Sequence, residues 1–91
     1  MTARPETATL RAALVRDFEP LELEVRDDSA AHAGHAGARE GGHFHVRLVS
    51  KRFVGLPARE RHRLVYASLA AWMGRGVHAL SIEAHCPSEL T

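Results

Sequence analysis

Residues 43–70 read HFHVRLVSKRFVGLPARERHRLVYASLA, and this stretch decides the fold. Its first six residues alternate, with Phe44, Val46 and Leu48 on one side and His43, His45 and Arg47 on the other. Strict alternation is the pattern of a half-buried strand. After a short connector, apolar residues recur at helical spacing over residues 58–73, which predicts an amphipathic helix. The rest of the chain is arranged around this strand and helix.

The flanking segments add a second helix and two more strands. Residues 7–18 carry apolar residues at helical spacing and end before Pro20, which predicts a first helix there. Residues 21–26 alternate strictly and predict a strand antiparallel to the strand at 43–50. Residues 77–85 predict a third strand, reached by a right-handed crossover. The order α-β-β-α-β predicts an α+β protein whose three-stranded mixed sheet carries both helices on one face.

The length and composition exclude several classes of protein. The chain has 91 residues, the length of one small domain. Its single cysteine, Cys86, excludes an intramolecular disulfide and a cluster held by four cysteines of this chain. No apolar run approaches the ~20 residues of a membrane span, and we expect a cytoplasmic protein with no membrane partner. We expect residues 1–6 and 27–42 to be flexible, since the longer segment holds nothing large and apolar to bury.

The charges are nearly balanced, with a formal net charge of +1, but they are unevenly distributed. Residues 17–28 hold six acids and one base, whereas residues 51–63 hold five bases and one acid. These stretches predict two oppositely charged surfaces. Each of these surfaces either binds a partner of opposite charge or is exposed to solvent and binds no partner.

Histidine is over-represented, with seven residues in the chain. His32 and His35 form an H-x-x-H spacing in the expected loop, and neutral imidazole is a common ligand of transition metals. His43 and His45 share the polar face of their strand, as solvent-facing side chains or as metal ligands. His78 falls on the apolar side of its strand by alternation and is either a core residue or an edge ligand. The spacing leaves these alternatives open.

Motifs for covalent catalysis are absent from the sequence. No activated serine or cysteine motif and no glycine-rich phosphate loop occurs, so we expect the protein not to be an enzyme. A basic group around the start of the second helix is either a phosphate-binding surface or a solvated face. With the glycine of the preceding turn, its members are Lys51, Arg52, Gly55, Arg59 and Arg63.

Several short motifs occur in the order typical of one family. They are His43-Phe44, Val49-Ser50, Arg52-Phe53-Val54-Gly55, Arg61-His62-Arg63 and Val77-His78-Ala79-Leu80. With the stretch FEPLEL at residues 18–23, these motifs make residues 10–89 closely similar to the BolA family. The resemblance implies a single BolA-like domain over residues 1–91 with a fold similar to a class II KH domain.

The resemblance also implies a partner and a cofactor. BolA proteins pair with monothiol glutaredoxins and share a bridging [2Fe–2S] cluster with them in iron handling. The family's ligand in the Val-His-Ala-Leu strand corresponds to His78, and its loop ligand to His32, with His35 as the alternate. We expect no cofactor in the isolated chain, which would be a monomer or a weak homodimer.

The second activity that the resemblance implies is DNA-binding transcriptional regulation of morphology and stress genes. DNA would then meet the turn and helix start that carry the basic group defined above. The turn lacks the Gly-x-x-Gly that clamps nucleotides in true KH domains, so phosphate contacts would dominate. We take the glutaredoxin adaptor as the main hypothesis and DNA binding as the alternative.

Overall fold

The computed structural model describes residues 4–29 and 41–90. The bounds of the regular elements are Thr7–Phe18 for α1, Glu22–Asp27 for β1, Gly41–Val49 for β2, Ala58–Ser68 for α2 and Gly76–His85 for β3. Short 3₁₀ turns lie at Lys51–Phe53 and Pro87–Leu90. The predicted α+β class and element order are confirmed. Neither of the two described α-helices is long and apolar enough to cross a membrane.

The central strand of the sheet is β2. It pairs antiparallel with β1, where Val25 lies opposite Val46, and parallel with β3, where Val46 lies opposite Ile82. A parallel pair needs a long crossover between its strands, and α2 lies in that crossover. The sheet is therefore mixed, as predicted.

One face of the sheet forms the core with both helices. The strand β2 contributes Phe44, Val46 and Leu48, each at most 2% exposed, and α1 and α2 add Leu14 and Val65 to the same cluster. Fully burying one side chain of this size stabilises the fold by about 2 kcal/mol. Since both helices join one cluster, they lie on one face of the sheet, and the other face carries the polar side chains.

Two predicted boundaries are wrong. The helix α2 ends at Ser68 rather than at residue 73, because residues 69–75 form turns that reach Gly74 with a φ of 75°. The segment expected to be flexible is too long at both ends, because β1 runs through Asp27 and β2 begins at Gly41. That early start of β2 needs no apolar side chain, since main-chain pairing with Gly76 suffices.

Helix side chains cap main-chain groups along both edges of the sheet. On β3, the Tyr66 hydroxyl and the Arg61 guanidinium donate to the carbonyl oxygens of Leu80 and Ala84, at 3.4 and 3.1 Å. On β1, the Arg11 guanidinium lies 3.0 Å from a main-chain oxygen. Exposed edge groups are templates for pairing with another chain, and these contacts occupy part of them.

Candidate functional site

The pairing of β2 with β3 is irregular at one point. Gly42 pairs with Val77, but the next residue of β2, His43, pairs with Ala79. His78 is therefore an extra residue in β3, a bulge, and bulges re-aim side chains near functional sites. The position of His78 on the apolar side is a wrong prediction, because Val77 takes the core position at 0% exposure while His78 is exposed.

The bulge brings the ring of His78 beside that of His43. The two ring centroids lie 5.3 Å apart with the planes inclined by 51°. Two imidazoles bound to one tetrahedral metal ion through bonds of about 2 Å have centroids roughly 5 Å apart. The pair therefore fits the spacing that two imidazole ligands of one metal require. The sequence alone could not show which of His43 and His45 lies beside His78, because this depends on the shift in strand register at the bulge.

His45 lies on the same face of β2 but is engaged differently. Its two ring nitrogens lie 3.2 Å from Ser81 Oγ and 3.1 Å from Glu83 Oε2. Its side chain is only 13% exposed. His45 therefore lies on the polar face of β2, as alternation predicts, but its neighbours on β3 cover most of its ring. A histidine with both nitrogens engaged is poorly suited to bind a metal.

The predicted loop ligands His32 and His35 lie outside the described residues, and their role stays a prediction. Within residues 4–29 and 41–90, no three or more His, Cys, Asp or Glu side chains form a group that could hold a metal ion. The His43–His78 pair would therefore need further donors, from the rest of the chain or from a partner.

The predicted nucleic-acid surface is partly neutralised within the protein. The guanidinium of Arg52 pairs with Glu19, and that of Arg63 pairs with Glu60 at 2.8 Å. The Arg52–Glu19 pair also joins the basic stretch to the acidic one. The prediction of two separate, oppositely charged surfaces is wrong at this contact.

The other predicted members of that surface are open to solvent. Lys51, Gly55 and Arg59 are all exposed. Gly55 has a φ of 78°, and a Cβ added there would meet nothing within 4 Å. An open turn with two exposed cations thus remains for an anionic partner.

Arg61, a further member of the basic stretch, is buried at 8% exposure. It donates to the carbonyl oxygens of Leu56 at 2.7 Å and Ala84 at 3.1 Å, and makes two bonds to the carboxylate of Glu89 at 2.7 and 2.8 Å. The two hydrogen bonds from Arg61 to Glu89 and the one from the backbone N–H of Cys86 lower the pKa of Glu89 to about 2. Because Arg61 is buried and four of its five N–H donors are engaged within the protein, it serves the fold and is unavailable to a phosphate.

Fold and site together define a class of protein: a small α+β domain with a mixed three-stranded sheet and two imidazoles side by side at the bulged start of its last strand. The family model described as BolA-like protein matches residues 14–89. The chain belongs to the BolA-like family. Members of that family are generally non-enzymatic adaptor or regulator proteins.

The relatives of this chain include a plant protein and a bacterial protein. The chloroplastic protein BOLA1 of Arabidopsis thaliana is 45% identical over 84 residues, which cover 88% of this chain and 52% of that protein. The DNA-binding transcriptional regulator BolA of Escherichia coli K12 is 42% identical over 80 residues, which cover 88% of this chain and 70% of that protein. This chain spans about half the length of the Arabidopsis relative.

A solved structure matches the fold closely. The BolA domain of SufE1 from Arabidopsis thaliana superposes with a TM-score of 0.82 at 44% identity. The match covers 91% of this chain and 93% of that domain. The α+β architecture is therefore shared over almost the whole chain.

Proposed function

We propose that this chain is an adaptor that pairs with a monothiol glutaredoxin and shares a bridging [2Fe–2S] cluster with it through His78. The observation that carries the proposal is the bulge in β3, which exposes His78 and sets its ring 5.3 Å from that of His43. When bound, the cluster supplies one-electron redox chemistry, and imidazole ligands raise its potential above that of an all-thiolate cluster.

The location of the cysteine supports a shared cluster. Cys86, the one cysteine of the chain, is 5% exposed and lies just beyond the opposite end of β3 from His78. A buried thiol at that distance along the strand cannot join an exposed imidazole at the same iron. Thiolate ligands would therefore come from the partner, and this chain would contribute imidazoles.

The second imidazole has three sources in this chain. His32 is the ligand that the family resemblance implies, and His35 is its alternate. His43 is the residue that the geometry adds, since its ring lies beside that of His78. In each case His78 supplies the ligand from a strand, whose main chain is held by pairing with β2.

The test is a titration with cluster-loaded monothiol glutaredoxin near neutral pH, followed by visible absorption and circular dichroism. We expect a new spectrum with the native chain and its loss in His78→Ala. His85→Ala is the matched control, because His85 is the last residue of β3, at the opposite end of the strand from His78. Loss of the new spectrum in one of His32→Ala, His35→Ala or His43→Ala identifies the second ligand.

Two results would contradict the proposal. An unchanged glutaredoxin spectrum after adding the native chain would reject the shared cluster. An undiminished new spectrum in His78→Ala would reject His78 as a ligand while leaving partnership intact.

We also propose DNA binding as a second function, on two observations. A relative that is 42% identical is named a DNA-binding transcriptional regulator. Lys51 and Arg59 are exposed around the open turn at Gly55. DNA would be held through its phosphates, because each lysine or arginine that meets a phosphate releases a counterion.

Salt dependence tests this second function. Each phosphate contact adds about −0.9 to the slope of log affinity against log salt. We therefore expect the double variant Lys51→Ala/Arg59→Ala to bind duplex DNA with a slope shallower by about 2. Arg75→Ala, an exposed arginine outside this turn, is the control. A salt-independent affinity of the native chain would reject phosphate-mediated binding.

A further inference from the structure

The N-terminal part of β2 is anchored to β1 by a side chain. The N–H of Asp28 donates to the carbonyl of His43 at 2.7 Å, continuing the antiparallel ladder in which Asp27 lies opposite Phe44. In a regular ladder, the N–H of His43 would return a bond to the carbonyl of residue 28. Here it donates instead to the hydroxyl oxygen of Ser29 at 3.0 Å. A side chain therefore completes the last ladder step.

Ser29 is itself held in place by a carboxylate. Its N–H donates to Asp27 Oδ1 at 2.9 Å, and the guanidinium of Arg4 lies 3.1 Å from Asp27 Oδ2. Burial would raise the pKa of Asp27, but hydrogen bonds from the hydroxyl and N–H of Ser29, together with the charge of Arg4, lower it. A serine hydroxyl oxygen carries two lone pairs, so Ser29 can accept a hydrogen bond from the N–H of His43.

We propose that Ser29 is a positioning residue for the His43–His78 pair, acting through the main chain of His43; this inference rests on the proposed function of that pair. Ser29 and Asp28 fix the N–H and the carbonyl of His43 from the β1 side. On the other side, β3 pairs His43 with Ala79, the residue that follows the bulge. The ring of His43 is thereby held where it meets that of His78.

Three variants isolate this contact. Ser29→Ala removes the acceptor for the N–H of His43. Ser29→Thr restores a hydroxyl at the same place and should rescue the loss. Ser81→Ala is the matched control, because it removes a serine hydroxyl from the same region that contacts His45 instead of His43.

The first readout uses the isolated chain. Amide hydrogen exchange by NMR reports the N–H of His43, and nuclear Overhauser effects between the rings report the His43–His78 contact. In Ser29→Ala we expect exchange at His43 to be roughly five- to tenfold faster, the factor that the loss of one ordinary hydrogen bond gives. The inter-ring effect should weaken in the same variant. Ser29→Thr and Ser81→Ala should match the native chain in both measurements.

The second readout is the visible circular dichroism of the complex with cluster-loaded glutaredoxin. We expect altered band intensities in Ser29→Ala, recovery in Ser29→Thr and no change in Ser81→Ala. A merely structural role would lower the thermal midpoint without changing these bands. If Ser29→Ala fails to fold, Ser29→Cys takes its place, since a thiol has nearly the same size but is a weak acceptor.

The outcomes separate this inference from the proposed function. If the native chain takes no cluster, the proposed function fails, while exchange and ring contacts still decide whether Ser29 positions His43. If the native chain takes the cluster but Ser29→Ala retains native exchange, ring contacts and bands, the positioning role is overturned. If Ser29→Thr does not restore the native exchange, ring contacts and bands, the positioning role is also overturned, because loss of the hydroxyl would then not explain the changes in Ser29→Ala.

Discussion

The two ends of β3 place functional groups in opposite environments. At its C-terminal end, Arg61 is buried and its donors meet two carbonyls and the carboxylate of Glu89. At its N-terminal end, His78 is exposed on a bulge beside His43. A guanidinium never loses its charge, so its burial requires that its donors be engaged. An imidazole that binds a partner's metal must instead stay accessible. One end therefore stabilises the fold, and the other leaves the imidazole that we propose as a ligand open to solvent.

Truncation of Arg61 should have the largest effect on stability. Arg61→Ala leaves the carbonyls of Leu56 and Ala84 and the carboxylate of Glu89 without their donor. Removing one partner from such a buried set costs about 3 kcal/mol, since a charge and polar groups remain uncompensated. Urea denaturation measures this loss. If the ends of β3 are independent, the folded fraction of the variant still gives the native cluster spectrum.

The control for that variant lies one half-turn further along α2. Arg63→Ala removes an arginine whose side chain is 67% exposed, against 10% for Arg61. Its ion pair with Glu60 is of the surface kind, and we expect a change below about 0.5 kcal/mol. Equal losses in the two variants would contradict the assignment of Arg61 as the buried, stabilising residue.

Acid should weaken the C-terminal end of β3 through Glu89. Its pKa is lowered from 4.5 to about 2, first by the hydrogen bonds from Arg61. A lowered native pKa means that the unfolded chain takes up the proton first as the pH falls. The contribution of ionised Glu89 to the stability of the fold is therefore present above about pH 4.5 and is lost as the pH approaches about 2.

Urea midpoints measured between about pH 5 and pH 2 test this dependence. We expect Glu89→Gln to show a shallower fall over this range than the native chain. Asp17, whose pKa is also about 2 through Arg16 and Ser68, keeps part of the dependence in that variant. An identical pH profile in Glu89→Gln would show that the ion pair with Arg61 adds nothing to stability.

The sequence predicted the elements well because local chemistry decides them. Helix α1 was placed at residues 7–18, its observed span, since Pro20 cannot continue the helix. The core face of β2 followed from alternation, which Phe44 and Val46 obey. The end of α2 was missed because the turns at residues 69–75 contain apolar residues that suit the helical pattern equally well.

The site was harder to predict because it depends on pairing between strands. Alternation along β3 assigns His78 to the core, and only the shift in register after Gly42 shows that it is bulged. The burial of Arg61 could likewise not be predicted by counting charges, because the count groups Arg61 with the exposed bases of residues 51–63. The roles of His78 and of the loop histidines came from the family resemblance, and they stay predictions.

The bulged end of β3 depends on a glycine. Gly76 has a φ of 117°, pairs with Gly41 and precedes His78 by two residues. Gly76→Ala forces a side chain into that conformation and should cost about 1–2 kcal/mol. Because the strain is relieved next to the bulge, we expect an altered cluster spectrum as well.

Gly55→Ala is the matched control for this glycine. Its φ of 78° is also positive, so a side chain there is strained too, but the turn at Gly55 is open and lies outside the His43–His78 pair. We expect a comparable loss of stability in urea with an unchanged cluster spectrum. A changed spectrum in Gly55→Ala, or an unchanged one in Gly76→Ala, would break the link between backbone strain and the position of His78.

The smallest effect should come from Tyr66. Its hydroxyl donates to the carbonyl of Leu80 near the bulged end of β3, whereas Arg61 donates to the carbonyl of Ala84 near the other end of the strand. Its hydroxyl donates over 3.4 Å, and Tyr66 is 42% exposed, so water can replace the bond. We expect Tyr66→Phe to change stability by less than about 0.5 kcal/mol. Urea denaturation beside Arg61→Ala gives the direct comparison. If Tyr66→Phe lost as much stability as Arg61→Ala, side-chain hydrogen bonds would stabilise both ends of β3 equally. The bulged end would then not be the more open one.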